Sequence, residues 1–323
     1  MSAAIQFQGV EKRYGPTLAL ENITLEVPKG ELVVLIGPSG CGKSTLLRLV
    51  NRMIEPTGGV LLVEGKNVLE QDAVSLRRSI GYVIQSIGLF PHMTIFENVE
   101  VVPSLLGWDK KKKRSRAMEL LHVVGLEPAQ FGDRYPKQLS GGQQQRVGIA
   151  RALAADPQIL LMDEPFGAVD PITRERLQAE FLRIQSEIHK TILFVTHDID
   201  EAVKLGDRIC LMRDGKVEQY ATPEELLGNP VSDFVRDFVG ADRELKRLGR
   251  VSVMSLMRPL RGAEGRGQRA EGLNANMSAR DALSRLLEAG GELPVVDPQG
   301  QVIGTITLND LTVANMDQRH KAT

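Results

Sequence analysis

Along the first 240 residues, short runs of apolar residues alternate with longer stretches in which apolar positions recur at helical spacing. Short apolar, β-rich runs within 31–36, 79–84, 159–162, 191–196 and 208–213 read as buried strands. Between them, 99–125 and 136–155 read as mostly helical. Strands alternating with amphipathic helices predict an α/β domain built on a largely parallel sheet.

The texture changes near Gly240. Residues 241–250 read as a charged helical linker, and 261–272 are rich in Gly, Arg and Glu. Order then returns. Ser278-Ala279-Arg280-Asp281 has the spacing of a capping box ahead of Leu283, Leu286 and Leu287, and Gly290 follows as a stop. Residues 293–297, a Pro298-Gln299-Gly300 turn and residues 302–307 complete a small β-α-β-β unit. The predicted organisation is therefore residues 1–240, with a helical part at about 86–155, followed by a linker and small unit at 241–323.

The chain has 323 residues, 25% of them charged, and a formal net charge of −1, the balance of a globular protein. That balance gives no basic footprint for nucleic acid. No apolar run approaches the ~20 residues of a membrane span. The first residues have neither the basic nor the apolar region of a secretory signal, and only Cys41 and Cys210 occur, so a reducing cytoplasm is expected. The run Lys110-Lys111-Lys112-Lys113-Arg114 reads as a solvated helix face, with an anionic lipid contact as the alternative.

Three segments carry chemistry. Gly37-Pro38-Ser39-Gly40-Cys41-Gly42-Lys43-Ser44-Thr45 lies between a strand and a helix, the context a P-loop requires. Its backbone N–H groups would wrap phosphates, Lys43 would neutralise the β and γ oxygens, and Ser44 would ligate Mg²⁺. Residues 159–162 run into Asp163 and Glu164, as a Walker B strand does. Asp163 would hold Mg²⁺, and Glu164 would polarise the attacking water. Leu139-Ser140-Gly141-Gly142-Gln143 opens a helix in which Ser140 and Gln143 have capping-box spacing.

With LSGGQ in place, the chain resembles the ATP-binding-cassette (ABC) ATPases over about residues 3–240. The resemblance implies a P-loop NTPase fold, ATP and Mg²⁺ as cofactors, and a head-to-tail homodimer. In that dimer Ser140, Gly141, Gly142 and Gln143 of one chain complete the site of the other. It further implies that Tyr14 stacks on adenine, that Gln85 reaches Mg²⁺ and the water, that Asp170 is the D-loop aspartate, and that His197 orients Glu164 and the γ-phosphate. Gly167-Ala168-Val169-Asp170 departs from the family's pattern in having Val where Leu is usual.

The stretch Gln85-Ser86-Ile87-Gly88-Leu89-Phe90-Pro91-His92, with Arg134-Tyr135-Pro136 and Asp233-Phe234-Val235-Arg236, looks like the bacterial importers of quaternary-amine osmolytes: glycine betaine, choline and carnitine. Leu89, Phe90 and His92 fit either a membrane-subunit contact or the core of the helical part. The tail, from Leu293-Pro294-Val295-Val296-Asp297 to Gly304-Thr305-Ile306-Thr307-Leu308-Asn309-Asp310, resembles one CBS repeat. In it Thr307 and Asp310 are either ribose ligands or strand-end caps, and two such tails are expected to pair across the dimer.

The resulting expectation is the ATPase subunit of an importer, peripheral on the cytoplasmic face of the membrane, with a permease and an extracytoplasmic binding protein as partners. An importer of another polar solute, such as an amino acid or polyamine, is the alternative. A non-transport ABC ATPase is disfavoured, because the sequence has neither a long heptad tract nor a duplicated cassette.

Overall fold

The computed structural model describes residues 3–84, 88–167, 169–260 and 271–311. The chain divides into two compact units, the first ending at Thr222 and the second beginning at Pro223.

In chain order the first unit contains β1 (Ala3–Tyr14), β2 (Thr17–Pro28), β3 (Leu32–Ile36), α1 (Lys43–Val50), β4 (Gly58–Val63), β5 (Lys66–Asn67), α2 (Ala73–Ser79) and β6 (Ile80–Val83). There follow α3 (Ile95–Leu105), α4 (Lys110–Val123), α5 (Pro128–Phe131), α6 (Gly141–Leu153), β7 (Ile159–Asp163), α7 (Pro171–Ile188), β8 (Thr191–Val195), α8 (Ile199–Leu205), β9 (Arg208–Arg213) and β10 (Lys216–Ala221).

The expected parallel sheet is six-stranded in the order β10-β9-β3-β8-β7-β6, and only β10 runs antiparallel. Its central strands β3, β7 and β8 are buried at every position, which is why they read as continuous apolar runs. A second sheet, β2-β1-β4-β5, is antiparallel and falls outside the sequence-based expectation. Register shifts between Phe7 and Val10, and again around Lys12, interrupt the two-residue alternation in β1.

The stretch 99–125, read as mostly helical, is divided between two helices. Gly107, at φ 74°, and Asp109, whose carboxylate caps α4 by accepting from Lys111 and Lys112 N–H, break it. The first of the two starts earlier, at a capping box formed by Thr94 and Glu97.

Register matters most at the carboxyl edge of the large sheet. Leu35 on β3 pairs with Val195 on β8, and Val195 pairs with Asp163 on β7. The loops leaving β3, β7 and β8 therefore emerge side by side, the place where parallel sheets bind ligands. Behind them Phe166, Phe181 of α7 and Phe194 of β8 are fully buried, with ring centroids 5.9 to 6.3 Å apart. This cluster fixes α7 and the segment after β7 to β8. Phe181→Ala is expected to cost about 3–5 kcal/mol of stability, measured as a lowered midpoint in urea unfolding with little change in slope.

The second unit contains α9 (Pro223–Gly228), α10 (Asp233–Val239), α11 (Arg243–Leu248), α12 (Val253–Leu256), β11 (Arg258–Pro259), β12 (Leu273–Asn274), α13 (Ala279–Ala289), β13 (Leu293–Val296) and β14 (Val302–Ile306). Its division from the first unit falls before the change in composition near Gly240, because α9 packs on α11 and Glu224 pairs with Arg250. The sheet order is β11-β14-β13-β12, with β12 and β13 parallel across α13. Ser278 caps α13 and Gly290, at φ 64°, ends it. Leu286, Val295 and Ile306 lie in its core, and Leu283 packs against them.

Candidate functional site

The site is assembled from the three loops at the carboxyl edge of the large sheet. After β3 the chain turns through Gly37, at φ 144°. A Cβ there would come within 2.1 Å of the Met212 carbonyl oxygen and 2.8 Å of Cys41 Sγ, so only glycine fits. Pro38, Ser39 and Gly40 are exposed, whereas Cys41 is buried. Gly42, at φ 106°, is the N-cap of α1 and brings no side chain to cap it. The first N–H groups of α1, at Lys43, Ser44 and Thr45, are thus available to an anion, with the helix dipole behind them. Lys43 is 7% exposed, and its ammonium donates to the Gly37 carbonyl at 2.7 Å and the Pro38 carbonyl at 3.0 Å.

Ser44 Oγ donates to Asp163 Oδ1 at 3.0 Å, joining the P-loop helix to the end of β7. Burial raises the Asp163 carboxyl above its ordinary pKa, and the Ser44 hydrogen bond opposes that only in part. A hydroxyl beside a buried carboxylate is a pair of hard oxygen donors of the kind a divalent cation takes. The residues present therefore fit Mg²⁺.

Glu164 adopts φ 45°, a left-handed conformation that costs a non-glycine residue about 1–2 kcal/mol. Its backbone is held there from both sides: its N–H donates to Val195 O at 3.0 Å, and its carbonyl accepts from Gly167 N–H at 3.1 Å. This places Glu164 Oε2 3.2 Å from His197 Nδ1. Strain of this kind concentrates at functional positions. Nothing in the sequence announced it.

The other predicted residues lie elsewhere. Tyr14 ends β1 in the antiparallel sheet and is 48% exposed, with Lys12 Nζ 4.9 Å from its ring centre. Asp170 caps α7, accepting from Thr173 N–H at 3.1 Å, and this bond holds its carboxyl below the usual range. At the start of α6, Ser140 Oγ accepts from Gln143 N–H and Ser140 N–H donates to Gln143 Oε1, forming the expected capping box. Gly141 is exposed, and Gly142 faces Thr173 and Leu177 of α7. Gln85 lies outside the described residues, as do Ser86 and Ile87.

After that segment, Phe90 and His92 are exposed and Leu89 half-buried, so Phe90 and His92 are not core residues. They sit on a loop pinned by fully buried Asn98, a residue the sequence reading missed. Asn98 Oδ1 accepts from Phe90 N–H at 2.8 Å, and Nδ2 donates to the carbonyls of Phe90, Met93 and Thr94. The signal was an Asn at the fourth position of an apolar helix. In the second unit, Asp310 is occupied within its own fold: Oδ2 accepts from Thr307 N–H and Oγ1, and Oδ1 accepts from Arg258 Nε at 2.8 Å. That geometry is the one expected of a strand-end cap.

Against known families, residues 20–167 match the profile described as ABC transporter and residues 272–317 that of the CBS domain. The osmoprotectant import ATP-binding protein OsmV of Salmonella typhimurium strain LT2 is 58% identical over 245 residues, 76% of this chain and 64% of that protein. This chain thus spans less than two thirds of that relative. The glycine betaine uptake system ATP-binding protein YehX of Escherichia coli strain K12 is 46% identical over 311 residues, 96% of this chain and 99% of that protein. Among solved structures, a dimeric bacterial ABC transporter cassette superposes with a TM-score of 0.60 at 39% identity, covering 68% of this chain and 98% of the cassette. With its P-loop, Asp163 and Glu164 gathered on one sheet edge, and with likeness along nearly its whole length, this chain belongs to the ABC transporter family of ATP-binding proteins.

Proposed function

We propose that this chain is the ATP-hydrolysing subunit of an importer for quaternary-amine compatible solutes of the glycine betaine, choline and carnitine type. The observation that carries the ATPase part is the placement of Glu164, 3.2 Å from His197, on the same sheet edge as the Ser44–Asp163 pair and the P-loop. The loop N–H groups and Lys43 bind the phosphates of ATP. Ser44 and Asp163 hold Mg²⁺, which when bound supplies positive charge against the phosphate oxygens. Glu164 takes a proton from the attacking water, and His197 orients its carboxylate.

The start of α6 supports a two-chain site. Gly141 and Ser140 are exposed, and the capping box leaves helix N–H groups facing outward for the nucleotide on a partner copy. The homodimer works on a permease, fed by an extracytoplasmic binding protein, from the cytoplasmic face of the membrane. Among the described residues no helix is long and apolar enough to cross a bilayer. The exposed Phe90 and His92 on their pinned loop form the contact for it. The single CBS-like unit pairs with its copy in the dimer, and the engagement of Asp310 with Arg258 and Thr307 supports a structural role there.

The solute class rests on the names of the relatives, and reconstitution tests it. In proteoliposomes with its permease and binding protein, ATP-dependent uptake of labelled glycine betaine, choline or carnitine is expected, and added amino acids or polyamines should not compete. Uptake driven only by an amino acid or polyamine would sink the solute assignment and leave the ATPase standing.

A further inference from the structure

The Glu164 backbone is tied to β8 through Val195 O, and its side chain meets that of His197 beyond the ends of the strands. His197 has a 61% exposed side chain, and its contact with Glu164 is a single 3.2 Å pairing. The two residues sit on separate loops, after β7 and after β8, so their alignment depends on what fixes one loop to the other. We propose that Arg174, one turn into α7, is a positioning residue that clamps these two loops at the separation hydrolysis requires. The proposal rests on the reading that Glu164 and His197 act on ATP.

Arg174 Nη2 donates to the Val169 carbonyl at 3.0 Å, on the segment that carries Glu164. Its other arm, Nη1, lies 3.8 Å from Asp198 Oδ2, on the residue after His197. Asp198 is itself fixed. Its Oδ1 accepts from the N–H groups of Asp200 and Glu201, at 2.8 and 3.3 Å, and its own N–H donates to Thr196 Oγ1 at 3.0 Å. A lateral shift of Asp198 therefore carries His197 with it.

The next turn of α7 repeats the link in the interior. Gln178 Nε2 donates to Glu201 Oε1 at 2.9 Å, with both residues about 5–6% exposed. Arg174, Gln178 and Phe181 share one face of the helix, and the Phe181 ring is anchored against Phe194 of β8. Glu164, Arg174, Thr196, His197, Asp198 and Glu201 also line one small cavity, of about 10 Å³, so the clamp and the catalytic pair share walls. Near-attack geometry is sensitive at this scale, since a displacement of about 1 Å can cost on the order of a hundredfold in rate.

The test is steady-state ATP hydrolysis by the full chain. Arg174→Ala is expected to lower kcat about tenfold while KM for ATP stays within about twofold. Its thermal midpoint should barely move, because a partly exposed ion pair adds little to global stability. Arg174→Lys, which can reach one loop but not both, should recover only part of the rate. In a double-mutant cycle with Asp198→Asn the losses should be non-additive. A kcat within twofold of wild type, additive losses, or a rate loss that tracks a lowered thermal midpoint would each overturn the clamp. If the wild-type chain hydrolyses no ATP under any of these conditions, the functional reading fails, and the clamp with it.

Discussion

With Glu164 replaced by Gln, the chain binds ATP with near-native affinity and hydrolyses it about a hundredfold or more slowly, the contribution usual for a positioned general base. The reasoning starts from size and shape. Gln keeps the length and branching of Glu and makes the same demand on the backbone, so the left-handed conformation at φ 45° and its two backbone hydrogen bonds are retained. An amide can still pair with His197 Nδ1, 3.2 Å away, but it cannot accept a proton from water. Lys43, Ser44 and the loop N–H groups are untouched, so binding survives while the chemical step fails. In kinetic terms the loss appears in kcat with KM little changed. In the proposed dimer the unhydrolysed nucleotide should hold two copies together, visible as an ATP-dependent shift in sedimentation. Turnover within a few-fold of wild type would remove Glu164 from the role of base.

Why Glu164 was legible in the sequence, while its geometry was not, follows from how each is encoded. A P-loop needs contiguous residues, because one turn of backbone must face one phosphate, so residues 37–45 declare themselves. The strand 159–162 running into two carboxylates is equally local. The left-handed backbone at Glu164 is imposed by Val195 and Gly167, one of them on another strand, and no local pattern reports it. The same division runs through the fold. Buried parallel strands show as apolar runs, whereas β1, shifted in register at several points, loses its alternation and hid the antiparallel sheet. Thr94 and Glu97 were a readable capping box that moves the start of α3 back to Ile95. Asn98 was visible as an anomaly, a polar residue on an apolar helix face, but its four partners lie on a loop whose path only the fold supplies. The division at Pro223 was hidden because it is set by packing between α9 and α11 rather than by any change in composition.

Lys43→Ala is the matching test of binding. Lys43 is nearly buried, and in the structure its ammonium spans the Gly37 and Pro38 carbonyls, so it is already directed across the mouth of the loop. On binding it exchanges those neutral acceptors for the charged β and γ oxygens of ATP. Hydrogen bonds to charged groups contribute about 1.5–3 kcal/mol each. Losing one or two of them amounts to roughly 3 kcal/mol, on the order of a hundredfold in Kd. The loss should follow the phosphates: ATP and ADP weaken strongly, and AMP, which lacks the β and γ groups, hardly at all. That contrast separates a lost phosphate contact from a collapsed loop, which would weaken all three nucleotides alike. The loop itself should persist, because Gly37 is fixed against the Met212 carbonyl and α1 is held by Leu46, Leu47 and Leu49 in the core. Equilibrium titration with a fluorescent ATP analogue, competed by each nucleotide, measures the series. An unchanged affinity for ATP would undo the assignment of residues 37–45 as a phosphate cradle, and an equal loss for AMP would move the role of Lys43 from the ligand to the loop.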